Sequence, residues 1–196
     1  MGLYYELEEK ENARKKRNRE ILIWIGELAA VILVSYLIVA FGMVRISMIG
    51  DSMNPTLQDG NSIIVNKMSY RFTKPKRNDV IVFKQSGSEH SYYNVKRVIG
   101  LPGETIQIKE GDIYVNGERL KEEFHFEPIS NGGLANEEIK LDAKEYFVLG
   151  DNRNASEDSR FANIGIIIKK DIVGSAWIRV KPFGFVNKIR VQSEEK

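Results

Sequence analysis

Ser52 sits in Ile49-Gly50-Asp51-Ser52-Met53-Asn54-Pro55-Thr56-Leu57, eight residues after a long apolar stretch that ends at Val44. A serine hydroxyl becomes a competent nucleophile only when a neighbouring group takes its proton. Histidine is the usual partner, but the chain has only His90 and His125, and neither stands in a supporting motif. Both read as solvated or hydrogen-bonded surface residues. A neutral lysine can do the same work, and Lys96 follows 44 residues later in Asn94-Val95-Lys96-Arg97-Val98-Ile99-Gly100-Leu101-Pro102-Gly103. Free lysine, with a pKa of about 10.4, is neutral in only about one part in a thousand near pH 7.4, and holding it near 8 takes roughly 3 kcal/mol. Burial among Val95, Val98 and Ile99 supplies a shift of that kind. A single lysine is ordinarily a solvated charge, so the assignment leans on a third polar block, Gly150-Asp151-Asn152-Arg153-Asn154-Ala155-Ser156-Glu157-Asp158-Ser159-Arg160.

These residues must be carried by something, and the chain supplies two kinds of element. Ile21 to Val44 is apolar apart from Glu27, Ser35 and Tyr36. As a helix, its 24 residues reach roughly 36 Å, enough to cross a hydrocarbon core of about 30 Å. Trp24 suits an interfacial anchor, and Lys10, Arg14, Lys15, Lys16, Arg17 and Arg19 precede the span. That basic flank predicts a cytoplasmic N-terminus, with everything after Val44 outside. The expected division is therefore a basic tail at 1–20, a membrane helix at 21–44 and an extracytoplasmic domain at 45–196. A cleaved secretory signal is the competing reading, with a small-x-small site at Ala40-Phe41-Gly42. The apolar run is longer than the 7–15 residues of an ordinary signal core, which favours an uncleaved anchor.

Beyond the anchor, short β-branched runs recur at Ser62–Asn66, Val80–Phe83, Val95–Ile99, Thr105–Ile108, Ile113–Val115, Tyr146–Leu149, Ile164–Ile168 and Ile172–Val180. Gly, Pro, Asn and Asp punctuate them, as turns between strands should. Asn116-Gly117 between Ile113-Tyr114-Val115 and Glu118-Arg119-Leu120 predicts a two-residue hairpin. The expected fold is a mostly antiparallel β domain behind one transmembrane helix, its core at 45–108 and 141–186 and an inserted subdomain at 109–140. With no cysteine there is neither a disulfide nor a thiolate site, and a net charge of +2 gives no argument for nucleic acid. No metal or other cofactor is implied.

Taken together, the three blocks resemble those of the type I signal peptidases, membrane-anchored serine proteases with a Ser–Lys dyad. Gly50–Leu57, Lys96–Glu104 and Gly150–Arg160 match the family's nucleophile, lysine and third signatures, and Arg77–Phe83 resembles a further strand block. The resemblance implies Ser52 as nucleophile and Lys96 as general base, with Ser156 hydrogen-bonding the lysine. Asp158 and Arg160 would form a supporting ion pair. The backbone N–H groups of Ser52 and Gly50 would share the oxyanion hole. Some relatives carry a serine hydroxyl where this chain has Gly50, a pattern resembling the Gram-positive branch. Met48, Met53, Leu57 and Val95 would line pockets for small substrate side chains, giving cleavage after Ala-x-Ala. The implied partners are secretory preproteins and the lipid bilayer, and the chain is expected to act as a monomer.

Other readings compete at particular residues. Asp151-Asn152-Arg153-Asn154 has the flavour of a calcium loop but lacks the glycine at position 6. Asn154-Ala155-Ser156 is formally a glycosylation sequon. A Ser–Lys self-cleaving regulator, a tethered peptide-binding module and a processor dedicated to one substrate are the rival functions.

Overall fold

The computed structural model describes residues 2–84, 92–122 and 126–186. His90 and His125, for which a surface setting was expected, lie outside the described residues. The chain divides into two units, a helix up to Gly42 and a β domain from Met43 onward.

Helix α1 runs Gly2–Gly42, and its stretch Arg14–Gly42 is long and apolar enough to cross a membrane. The backbone is helical well before Ile21, where the sequence suggested only a polar tail. The Glu-, Lys- and Arg-rich segment is made of good helix formers, so nothing in it stops the helix. At the other end the apolar run overshoots the helix by two residues. Met43 and Val44 belong to the first strand, paired with Asn66 and Val65, and Val44 packs on the core.

The β domain has strands β1 (Met43–Ser47), β2 (Ser62–Asn66), β3 (Val80–Lys84), β4 (Tyr93–Gly100), β5 (Thr105–Lys109), β6 (Asp112–Val115), β7 (Glu118–Arg119), β8 (Ile139–Lys140), β9 (Glu145–Leu149), β10 (Ile167–Ile168), β11 (Ile172–Arg179) and β12 (Gly184–Phe185). A one-turn helix, α2 (Ser69–Phe72), follows β2. The larger sheet has the order β1-β2-β11-β3-β4-β9-β10, with β12 beside β11. A smaller sheet, β7-β6-β5-β8, is built from Thr105 to Lys140, so it starts with β5 rather than at 109. All pairings are antiparallel, as the sequence led us to expect.

Sequence pattern explains the centre of this sheet. Val80-Ile81-Val82-Phe83 is apolar at every position because β3 is covered on both faces. Val80 and Val82 pack with Met48, Met53, Leu57, Ile63, Val65 and Val95, whereas Ile81 and Phe83 pack with Val98, Tyr146 and Val148. A third cluster joins Ile99, Phe147 and Leu149 to Ile106, Ile108 and Ile113 of the smaller sheet. Asn116 and Gly117 both take positive φ, 53° and 82°, and join β6 to β7 as a two-residue turn. The strand expected at Ile164–Ile168 is shortened to its last two residues. Phe161 O accepts from both Ile164 N and Gly165 N, closing a turn that Gly165 completes at φ 64°.

Gly174 marks where β11 passes closest to the end of β2. A Cβ there would lie 2.3 Å from the backbone oxygen of Asn66, which cannot move aside cheaply. Gly174→Ala is expected to destabilise the β domain by at least about 1–3 kcal/mol, the usual cost of overpacking. Thermal unfolding of the detergent-solubilised chain checks this, and an unchanged Tm would contradict it.

Candidate active site

Ser52 lies in the loop between β1 and β2, and that loop is fixed along its length. Met48 N donates to Asn61 O at 2.8 Å, Leu57 N to Met53 O at 2.8 Å, and Asn152 N to Ser52 O at 3.1 Å. The side chains of Met53 and Leu57 are fully buried beneath the loop, and Arg179 Nη1 holds Thr56 O at 3.0 Å. Gly50 has φ 80°, a region that favours glycine, and its N–H donates to Asp59 Oδ1 at 2.8 Å.

Lys96 reaches the same loop from β4. Its Nζ stands 2.7 Å from Ser52 Oγ, and the residue is only 4 % exposed. Burial pushes the ammonium down from 10.5 to about 8; the nearby carboxylates of Asp158, Glu157 and Asp151 pull the other way, and Arg160 reinforces the lowering. The unfolded chain therefore binds more proton at this group between pH 8 and 10.5, so its contribution to stability rises with pH across that window. An amine with that pKa is neutral in about one molecule in five near pH 7.4, and a neutral amine in contact with a hydroxyl can take its proton.

The third block packs around this pair through buried charge. Arg97, next to the lysine, donates from Nε to Asp151 Oδ1 at 2.7 Å and from Nη2 to Asp151 Oδ2 at 2.6 Å, and both side chains are all but excluded from solvent. Thr56 Oγ1 donates to the same carboxylate at 2.5 Å, and Arg97 Nη1 to Asn78 O at 2.8 Å. Asp158 and Arg160 form a second buried pair, with bonds of 2.8 Å from both Nε and Nη2. Asp158 also accepts from Gly150 N, and Arg160 donates to the carbonyls of Asn131 and Arg153. Arg153 grips Glu122 with two bonds and stacks on Phe126, 4.1 Å from guanidinium to ring centre.

Several sequence expectations are thus brought together, and others are not. Ser52, Lys96, Asp158 and Arg160 converge. Ser156 does not bond the lysine as expected: its hydroxyl is buried with no hydrogen-bond partner among the described residues. Gly50 N–H is committed to Asp59 and so is not free to serve an oxyanion hole, whereas Ser52 N–H donates to no acceptor among the described residues. The calcium reading loses its donors, because Asp151 serves Arg97 and Thr56, and Asn154 bonds Ser130 and Pro128 O. No group of three or more potential metal ligands forms among the described residues. Sequence reading missed Arg97, Asp151, Thr56 and Gly150. The signal for Arg97 was a second charge inside an apolar strand. Gly150 gave none, although a Cβ there would fall 2.1 Å from Ser156 Oγ and 2.4 Å from Ser52 O.

A cleft of about 780 Å³ opens beside the pair, walled by Ile46, Ser47, Met48 and Ile49 on one side and by Tyr92 to Lys96 on the other. Three strands separate β1 from β4 in the sheet, so their sharing one cleft means that the sheet curls. Strand β9 pairs with β4 only from Arg97 to Gly100, which leaves the other edge of residues 93–96 without a strand partner among the described residues. Such an edge can take an extended peptide as an added strand. Of the expected pocket residues, Met48 and Val95 line this cleft, whereas Met53 and Leu57 are turned into the core.

A buried lysine against a partly exposed serine, on a curled β domain that follows an apolar helix in the chain, is the setting in which the family comparison decides. Residues 21–181 match the family model described as signal peptidase, peptidase S26. The chain belongs to the type I signal peptidases. It is 44 % identical over 136 residues to signal peptidase I V of Bacillus subtilis, covering 64 % of this chain and 78 % of the relative. Signal peptidase I of Bacillus licheniformis is 32 % identical over 186 residues, covering 91 % and 98 %. That of Leptolyngbya laminosa is 40 % identical over 138 residues, covering 67 % and 66 %. The chain is accordingly a membrane-anchored serine protease that removes signal peptides.

Breaking the Arg97–Asp151 pair from one side tests how far the signal peptidase site depends on it. Asp151→Ala removes the carboxylate that faces a buried guanidinium and is expected to cost about 3–5 kcal/mol. Denaturant unfolding of the full chain measures this, and a loss below about 1 kcal/mol would contradict it.

Proposed function

We propose that Ser52 cleaves preproteins after a small-x-small sequence such as Ala-x-Ala, with Lys96 as its general base. The 2.7 Å contact between a buried, pKa-lowered Lys96 and Ser52 Oγ carries the reading. Ser52 Oγ attacks the scissile carbonyl as its proton passes to Lys96 Nζ. Ser52 N–H donates to the oxyanion of the tetrahedral intermediate. Collapse expels the new N-terminus of the mature protein, whose amine takes the proton back from Lys96. Water then attacks the acyl-enzyme, giving a proton to Lys96, which returns it to Ser52 Oγ as the ester bond breaks; the signal peptide leaves as an acid that loses its remaining proton to solvent.

Ser156 is assigned the task of orienting the Lys96 amine. Lys96 feels the charges of Glu157 and Asp158, which follow Ser156 in the chain, and a buried hydroxyl without a bond costs about 1–3 kcal/mol, which a bond to the amine would relieve. Asp158 with Arg160, and Asp151 with Arg97, hold that block in place. Met48 and Val95 limit the substrate to small side chains near the scissile bond. By the positive-inside rule the basic flank ahead of the span stays in the cytoplasm and the catalytic domain lies outside.

Preprotein cleavage by the detergent-purified chain tests this, with the new N-terminus read by mass spectrometry. Ser52→Ala and Lys96→Ala are each expected to abolish cutting after Ala-x-Ala. Because the base must be neutral, kcat/KM should rise about tenfold per pH unit below the Lys96 pKa and level off above about 8. Full activity in Lys96→Ala, or a plateau extending down to pH 5, would sink the dyad.

A further inference from the structure

The cleft is longer than a small-x-small sequence needs, and its far end is aromatic. Tyr93 opens β4 and lines the cleft together with Tyr92, three and four residues before Lys96. Along a strand, residues two apart share a face. Tyr93 therefore shares its face with Val95 and stands about 6.6 Å further from the dyad at the usual rise per residue. An extended substrate has the same rise, so the substrate side chain two positions beyond the one at Val95 meets Tyr93. The ring is half-exposed at 41 % and is backed by Lys84, whose Nζ lies 5.1 Å from its centre, while Tyr92 forms an open rim at 76 % exposure.

Resting on the reading just given, we propose that Tyr93, rimmed by Tyr92, is a further specificity subsite that takes a large apolar side chain upstream of the small residues. Its occupant is the C-terminal end of the signal peptide's own hydrophobic segment. In a signal peptide that segment lies on the upstream side of the cleavage site. Most of the cleft's lining is apolar to match, with Ile46, Met48, Ile49, Val95 and the two tyrosine rings beside the polar Ser47, Ser52, Asn94 and Lys96. The enzyme then reads two properties at once, small residues at the dyad and an apolar residue at a fixed distance from it.

The test uses the full-length chain in detergent and a set of signal-peptide substrates that share one Ala-x-Ala site. Each carries Leu, Ser or Asp singly at the third to sixth positions upstream of the cut, or at the second position downstream. Wild type is expected to prefer Leu over Ser by about 10-fold in kcat/KM at one upstream position, the scale of discrimination for one apolar side chain. Tyr93→Ser should reduce that ratio to below about 2-fold without moving the cleavage site, and Tyr93→Phe should restore it. The subsite is overturned if wild type shows no upstream preference, if the preference lies downstream, or if Tyr93→Ser keeps it while cutting normally. Wild type that cuts none of the substrates overturns the proposed function and the subsite with it.

Discussion

A guanidinium and a carboxylate buried side by side, Arg97 and Asp151, join the three sequence blocks that make the site. Arg97 is on the strand that carries Lys96, Asp151 is the second residue of the third block, and Thr56, bonded to the same carboxylate, belongs to the Ser52 loop. Neither charge has water to fall back on, so each exacts a heavy penalty if the other moves. That all-or-none character keeps Lys96 Nζ and Ser52 Oγ, 2.7 Å apart, within hydrogen-bond reach. Asp158–Arg160 repeats the device one turn of chain further, tying the same block to Gly150 and to the carbonyl of Asn131.

The same arrangement accounts for an otherwise awkward lysine. Three carboxylates within electrostatic range of Lys96 favour its charged form, yet burial outweighs them. Two of the three, Asp151 and Asp158, are already paired with arginines, which mutes their pull. Pairing the acids with Arg97 and Arg160 thus serves twice: it fixes the loops, and it lets desolvation set the ionisation of Lys96. Gly150 completes the fit, because any side chain there would collide with Ser156 and with the carbonyl of Ser52.

Much of this was legible in the residues, and the gaps have physical causes. Buried strands such as Val80–Phe83 announce themselves by β-branched runs, and the Asn116-Gly117 turn by its need for two positive φ angles. Strands β8 and β12 have two residues each, too short for any alternation to register, whereas the equally short β7 was marked by the turn before it. Strand β1 was hidden because its apolar residues continue the apolar run of the helix. At the site, Ser52 and Lys96 were marked by motif. The Arg97–Asp151 pair was not, since a link across 54 residues leaves no trace in local pattern. Gly50 and Ser156 show the converse. Their residue types were read correctly, but Asp59 claims the N–H of the first and the hydroxyl of the second stands unbonded, details that only packing decides.

The account turns on Lys96 being a neutral amine against Ser52 at moderately alkaline pH. Nitrogen-15 NMR of the lysine side chains in the detergent-solubilised chain, with Lys96 identified by comparison with Lys96→Met, reads its ionisation directly. The account predicts that Lys96 Nζ titrates with a midpoint near 8, well below the ordinary lysine value of 10.5. An ammonium that stays protonated through pH 10 would contradict it.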